Sequence, residues 1–70
     1  MKYTERVSSS VIDSLEYDSD DQILIVHFNN GSSYQYTGVS EDTFLALKDA
    51  NSVGKYFSEN IRNSYSFQRL

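Results

Sequence analysis

Between Leu24 and Tyr36 large apolar side chains alternate with smaller or polar ones on both sides of a turn. The stretch reads Leu24-Ile25-Val26-His27-Phe28, then Asn29-Asn30-Gly31-Ser32-Ser33, then Tyr34-Gln35-Tyr36. A period of two around an Asn-Gly pair predicts a β-hairpin. Two registers are open. A two-residue turn at Asn30-Gly31 pairs Phe28 with Ser33 and puts Tyr34 and Tyr36 on the face of Ile25 and His27. A three-residue loop, Asn29 to Gly31 with Gly31 left-handed, pairs Phe28 with Ser32 and joins both tyrosines to Leu24, Val26 and Phe28. The second register is expected, because it gathers the large side chains on one face and a slip of one residue scatters them.

Upstream, Val11, Ile12, Leu15 and Tyr17 mark a first strand whose alternation is imperfect at Val11-Ile12. Asp18 to Asp21 then form a turn, since Asp side chains bond nearby backbone amides. Beyond Val39 the period lengthens. Ser40 is a good helix cap, Glu41 and Asp42 sit where the helix dipole favours acids, and Val39 can staple onto Phe44. Phe44, Leu47 and Ala50 form one stripe with Leu45 beside it, and Asn51 is a candidate left-handed stop. Ser52 caps a second helix that buries Val53, Phe57 and Ile61. Tyr65-Ser66-Phe67 alternates again and is expected to lie extended. The fold class that follows is α+β, with a three-stranded antiparallel meander sheet over about 10–17, 22–29 and 32–38. Two short helices, about 41–50 and 53–61, cover one face, followed by an extended C-terminal tail. Three strands need such a cover to be stable. Residues 1–8 are polar and read as loosely held.

Seventy residues make a single domain, 1–70, and one this small buries only about 60% of its unfolded surface. With no Cys there is neither a disulfide staple nor a thiolate metal site, so ten aromatic residues and the aliphatic positions must supply the core. No apolar run approaches a membrane span, and the charges of Met1–Arg6 are followed by no apolar segment, so neither membrane nor signal peptide is expected and the cytoplasm is the natural location. Asn30-Gly31-Ser32 fits a glycosylation sequon, but the turn reading accounts for it. The net charge of −4 is polarised: residues 1–50 sum to −6 and residues 51–70 to +2. Such a distribution bears on partners more than the total does.

Taken in order, Ser10-Val11-Ile12, Tyr17-Asp18, Leu24, Val26, Phe28, Gly31 and Tyr34-x-Tyr36 are followed by Gly54, Tyr56-Phe57, Ile61-Arg62, Tyr65 and Arg69. This succession resembles the KTSC domain, a short bacterial module found at the C-terminus of some lysyl-tRNA synthetases and as stand-alone small proteins. The resemblance covers essentially the whole chain. It departs at Phe67 and Gln68, where the family pattern has a Tyr and a basic residue, which removes one charge from the basic end. It makes Gly31, Tyr34, Tyr36, Gly54 and Phe57 structural motif positions, and the synthetase association points to RNA by analogy alone.

The chemistry-bearing residues are few. His27 stands mid-strand among apolar neighbours and reads as a sheet-face residue, because a catalytic imidazole needs an orienting carboxylate and a nucleophile within reach. Glu16, Asp18, Asp20 and Asp21 lack the mid-loop glycine and distal glutamate of a calcium loop and read as a solvated turn. No catalytic residue, metal, cofactor or small-molecule substrate is therefore expected, and the chain is not read as an enzyme. Lys55, Arg62 and Arg69, with Tyr56 and Tyr65, form a candidate basic-aromatic edge for nucleic acid; the plain alternative is an ion-pair ladder of Lys55, Glu59 and Arg62. Tyr34 and Tyr36 could stack bases, though filling the core is the stronger demand on them. The function expected is a small non-catalytic binding module, possible partners being RNA at this edge or another protein docked on a sheet edge or on the face of Ile23, Ile25 and His27.

Overall fold

The computed structural model describes residues 2–70. It is an antiparallel meander of five strands, in the order β1 (Lys2–Arg6), β2 (Ile12–Asp18), β3 (Ile23–Phe28), β4 (Ser33–Thr37) and β5 (Phe67–Arg69). Two helices, α1 (Glu41–Lys48) and α2 (Val53–Asn60), lie between β4 and β5 in sequence. The α+β architecture and both helices match the expectation from sequence, and the strand count corrects it from three to five. Lys2–Arg6, read as loosely held, pairs along its full length with β2, from Lys2 opposite Asp18 to Arg6 opposite Ser14. Its polarity misled because only Tyr3 faces the core; the alternate residues Lys2, Thr4 and Arg6 are exposed, as an edge strand allows. The tail is the other edge, with Tyr34 opposite Arg69 and Tyr36 opposite Phe67.

The hairpin takes the three-residue loop. Leu24 faces Tyr36 and Val26 faces Tyr34, and the Phe28 amide donates to the Ser32 carbonyl at 2.9 Å. Gly31 has φ of +93° and its amide donates to the Phe28 carbonyl, the left-handed position the loop requires. The irregular start of β2 is a bulge. Its register shifts between Ile12 and Ser14, so Ile12 and Leu15, three apart, both point inward while Val11 is exposed.

The first helix starts where its signals place it. The Ser40 hydroxyl accepts from the Thr43 amide at 3.2 Å, and Val39 and Phe44 on either side of the cap are fully buried. It ends at Asp49, whose amide donates to the Leu45 carbonyl. Asn51 is not left-handed, correcting that expectation, because the chain leaves the helix two residues earlier. Ser52 caps α2 by accepting from the Lys55 amide, and Val53, Phe57 and Ile61 are buried as the stripe requires.

One core results, built from the inner face of the sheet and the apolar sides of both helices. Tyr17 and Phe44 stack with centroids 4.6 Å apart and planes 8° from parallel, and Tyr3 packs on both rings. The Tyr17 hydroxyl donates to the Val39 carbonyl, which fastens β2 to the residue before the α1 cap. At the other end Phe57 meets Phe28 and Tyr36 edge-on.

Two measurements check this account. Gly31→Val should destabilise by more than about 1 kcal/mol in urea melts, and Gly31→Asn by far less, since open space surrounds the site and only the backbone angle discriminates. Burial, reinforced by the Glu41 and Asp18 charges, raises the Tyr17 hydroxyl above its ordinary value of about 10. The neutral form is the one the fold favours, so this stabilisation is intact below about pH 10 and lost as pH rises through the higher value of the folded state. Tyr17→Phe should cost about 1–3 kcal/mol at pH 7 by leaving the Val39 carbonyl unpaired, and should show a shallower loss of stability above pH 10 than the parent.

Candidate functional site: an aromatic groove with a cationic rim

Strand alternation sorts the side chains before any contact is considered. Leu24, Val26 and Phe28 of β3, Tyr34 and Tyr36 of β4 and Phe67 of β5 share the inner face. The helices do not cover all of it. Beside α2 they leave an open groove of about 480 Å3, walled by Phe28, Tyr34, Tyr36, Phe57 and Phe67. Gly54 also lines it, and a side chain there would approach the Ser9 hydroxyl at 3.4 Å. The rim is polar, with Asn30 and Ser32 from the hairpin loop, Ser58 from α2, and Arg62 and Asn63 after it.

The rings of the groove are held against one another. Tyr34 meets Phe28 edge-on at 5.7 Å, and Phe67 lies 5.9 Å from Tyr34 and 5.6 Å from Tyr36. Phe67 nevertheless remains 56% exposed, a large apolar ring facing solvent at the groove's edge. Tyr36 is only 3% exposed, yet its hydroxyl has no hydrogen-bond partner among the described residues. No fully buried side-chain oxygen or nitrogen among those residues lacks a partner, and Tyr36 is one of the residues that line the groove. Burial pushes the Tyr36 hydroxyl upward, the neighbouring Tyr34 adds to the shift, and the positive charge of Arg62 opposes it. These three groups therefore sit within electrostatic reach of one another.

Arg62 is fixed from the backbone. Both its amide and that of Ile61 donate to the Phe57 carbonyl, closing the end of α2 while Ile61 is buried beneath. Its guanidinium makes no hydrogen bond or ion pair among the described residues.

The five residues singled out for nucleic acid are not brought together. Arg62 alone lines the groove. Arg69 stands opposite Tyr34 across the β4–β5 ladder, so it leaves the same sheet face at the groove's flank. Lys55 lies elsewhere, on a shallow depression with Ser8, Ser9 and Ser10. Tyr56 and Tyr65 are half-buried and pack against the core. The ladder of Lys55, Glu59 and Arg62 does not form: the ion pairs among the described residues are Arg6 with Asp13, His27 with Glu16 and Lys48 with Asp49. Phe28, Asn30, Ser32, Ser58 and Asn63 escaped the sequence reading because they come from separate elements. Only the hairpin register signalled that Phe28 and Tyr34 share a wall.

On the outer face His27 has the neighbours that its sequence context did not reveal. The Nε2–H donates to a Glu16 carboxylate oxygen and the Ser33 hydroxyl lies 2.7 Å from Nδ1. Ser33 is the direct cross-strand partner of His27, and Glu16 is diagonal to it on β2, so register alone creates the chain. Ile23 and Ile25 share this face half-buried, and a shallow cavity of about 240 Å3 opens there toward Lys2 and Thr4. No group of three or more His, Asp or Glu among the described residues could hold a metal ion, and no helix among them is long and apolar enough to cross a membrane.

Known proteins match this chain in sequence and in fold. A KTSC domain protein from Yersinia pestis, solved crystallographically, superimposes with a TM-score of 0.91 at 32% identity, covering 100% of this chain and 99% of that one. A protein of Stutzerimonas stutzeri is 40% identical over 65 residues, 91% of this chain and 92% of its own length. The lysine–tRNA ligase of Nostoc punctiforme is 33% identical over 61 residues, and the match spans 87% of this chain but 11% of the ligase. The sequence profile of the KTSC domain matches residues 8–65, and with the motif residues of that span folded as described, the chain belongs to the KTSC domain family.

Proposed function

We propose that this domain is a non-catalytic accessory module that binds single-stranded RNA in the groove beside α2. The observation that carries the reading is the convergence of an exposed aromatic ring, Phe67, and an ion-pair-free cation, Arg62, on one open cleft. Stacking on an aromatic side chain contributes about 1–3 kcal/mol per base and tolerates any base. In this reading Arg62 on the rim and Arg69 on the flank meet the phosphates on either side of a stacked base. The presence of a related segment within a lysine–tRNA ligase supports RNA as the polymer and the cytoplasm as the compartment. The reading is one of binding without catalysis, since the chain of Glu16, His27 and Ser33 lies on the opposite face of the sheet from the groove.

A second reading has its own observation. The outer face carries Ile23 and Ile25 without a covering layer, and another protein docked there would bury them. Amide shifts on titration with an RNA oligonucleotide separate the two. Clustering at residues 28–36 and 57–69 supports the groove, and shifts confined to the outer face, or none, favour the docking surface.

With two phosphate contacts the logarithm of affinity should fall against the logarithm of salt with a slope of about −1.4, some 0.7 per contact on a single strand. Raising salt from about 50 to 200 mM should weaken binding roughly sevenfold. Arg62→Ala should halve the slope and change stability by less than about 0.5 kcal/mol, because the exposed guanidinium holds no partner within the fold. Lys55→Ala should leave the slope unchanged. Undetectable binding at about 50 mM salt, where screening is weak, would sink the RNA reading.

A further inference from the structure

We infer that the groove seats a single nucleotide bearing a phosphomonoester, presented as the end of a chain or as a free mononucleotide, rather than an internal stretch of a strand. The inference rests on the RNA reading above and narrows it to one unit of the polymer.

Size is the first argument. A groove of about 480 Å3 falls in the range of roughly 300–1,000 Å3 typical of small-molecule sites. Single-strand channels, by contrast, track about 4–16 nucleotides per domain. One base and its sugar phosphate suit the volume; a run of stacked bases does not.

The second argument is the donor set. Tyr34, Tyr36 and Arg62 line one groove, and the positive charge of Arg62 reaches the Tyr36 phenol, where it opposes the effect of burial. Neither phenolic hydroxyl nor the guanidinium is committed to another group among the described residues. Two neutral O–H donors and one cation match the three terminal oxygens of a phosphomonoester, which carries a charge of about −1.5 to −2 at pH 7. An internal phosphodiester has one charge and two free oxygens and would leave a donor idle. Phe67 and Phe28 beside these donors supply the apolar surface for the base.

The third argument is charge at longer range. The chain carries −4 overall, and its acids crowd into residues 1–50. A strand laid across the domain would meet this field, whereas one nucleotide at the groove meets Arg62 on its rim and Arg69 at its flank.

The test uses the full chain, with fluorescence anisotropy of labelled six-nucleotide adenylates ending in a 5′-phosphate, a 3′-phosphate or no phosphate, and AMP as competitor. One of the phosphorylated ends should bind at least about tenfold more tightly than the bare oligonucleotide, and AMP should displace it. Tyr36→Phe and Arg62→Ala should each remove that preference while weaker binding of the bare oligonucleotide persists. Tyr36→Phe keeps the buried ring, and an unchanged thermal melt of each variant shows that the fold is intact. Equal binding of all three oligonucleotides overturns the phosphomonoester site and leaves the RNA reading standing. Displacement of nothing by AMP, with a preference unmoved by both variants, overturns it as well. Binding of AMP without binding of any oligonucleotide supports the single-nucleotide site and refutes RNA as its source. Binding of none of the probes overturns both.

Discussion

The stack of Tyr17 on Phe44, tied by the Tyr17 hydroxyl to the Val39 carbonyl, is the joint on which the rest of the domain depends. It links the middle of the sheet to the first turn of α1 through two kinds of interaction at once. The rings bury apolar area in a chain that has no disulfide and little surface to spare. The hydroxyl satisfies a backbone carbonyl at the point where the chain passes from strand to helix, a place where unpaired polar groups are costly. Tyr3 extends the cluster to the edge strand, and its hydroxyl donates to Glu41 at the start of the same helix at 2.6 Å. One aromatic cluster thereby ties β1, β2 and α1 together.

The second cluster, around Phe57, is built from the same materials but is left open. Here the edge strand has three residues in place of five, and Phe67 covers Tyr34 and Tyr36 only in part. The helix above presents Gly54 to the groove and packs Phe57 edge-on against Phe28 and Tyr36, while Phe67 stays exposed along the groove's edge. Closed at one end and open at the other, the core gives the small domain its stability where the rings are sealed and its candidate site where they are not. Placing a site at the less covered end follows a general pattern in which recognition surfaces lie where burial is incomplete.

The two sheet faces divide the remaining chemistry. Aromatic and cationic groups collect on the inner side around the groove. The outer side carries a polar chain of Glu16, His27 and Ser33 beside Ile23 and Ile25. An imidazole bonded on both nitrogens is held in one orientation, which stiffens the cross-strand contact among β2, β3 and β4. In a meander every neighbouring strand is close in sequence except the last, so most of this order is set by short connections, and only β5 must return across both helices.

Local signals in the sequence determined the central hairpin and its register, the Ser40 and Ser52 caps and the buried stripes of both helices. Each depends on residues within a few positions of one another, where period, turn chemistry and capping act. The edge strands were less legible. Lys2–Arg6 carries one core residue among polar ones, and its pairing depends on partners eight to sixteen residues away. Of the candidate site, Arg62 was visible as a cation near aromatic residues, as was the shared face of Tyr34 and Tyr36. Which rings stay uncovered, and that Lys55 points to a different depression from Arg62, was decided by how far α2 reaches over the sheet. The same holds for His27: its ring found a carboxylate and a hydroxyl because antiparallel pairing brings distant residues to adjacent positions on one face. Sequence periodicity fixes which way a side chain points; only the packed structure fixes what it meets there.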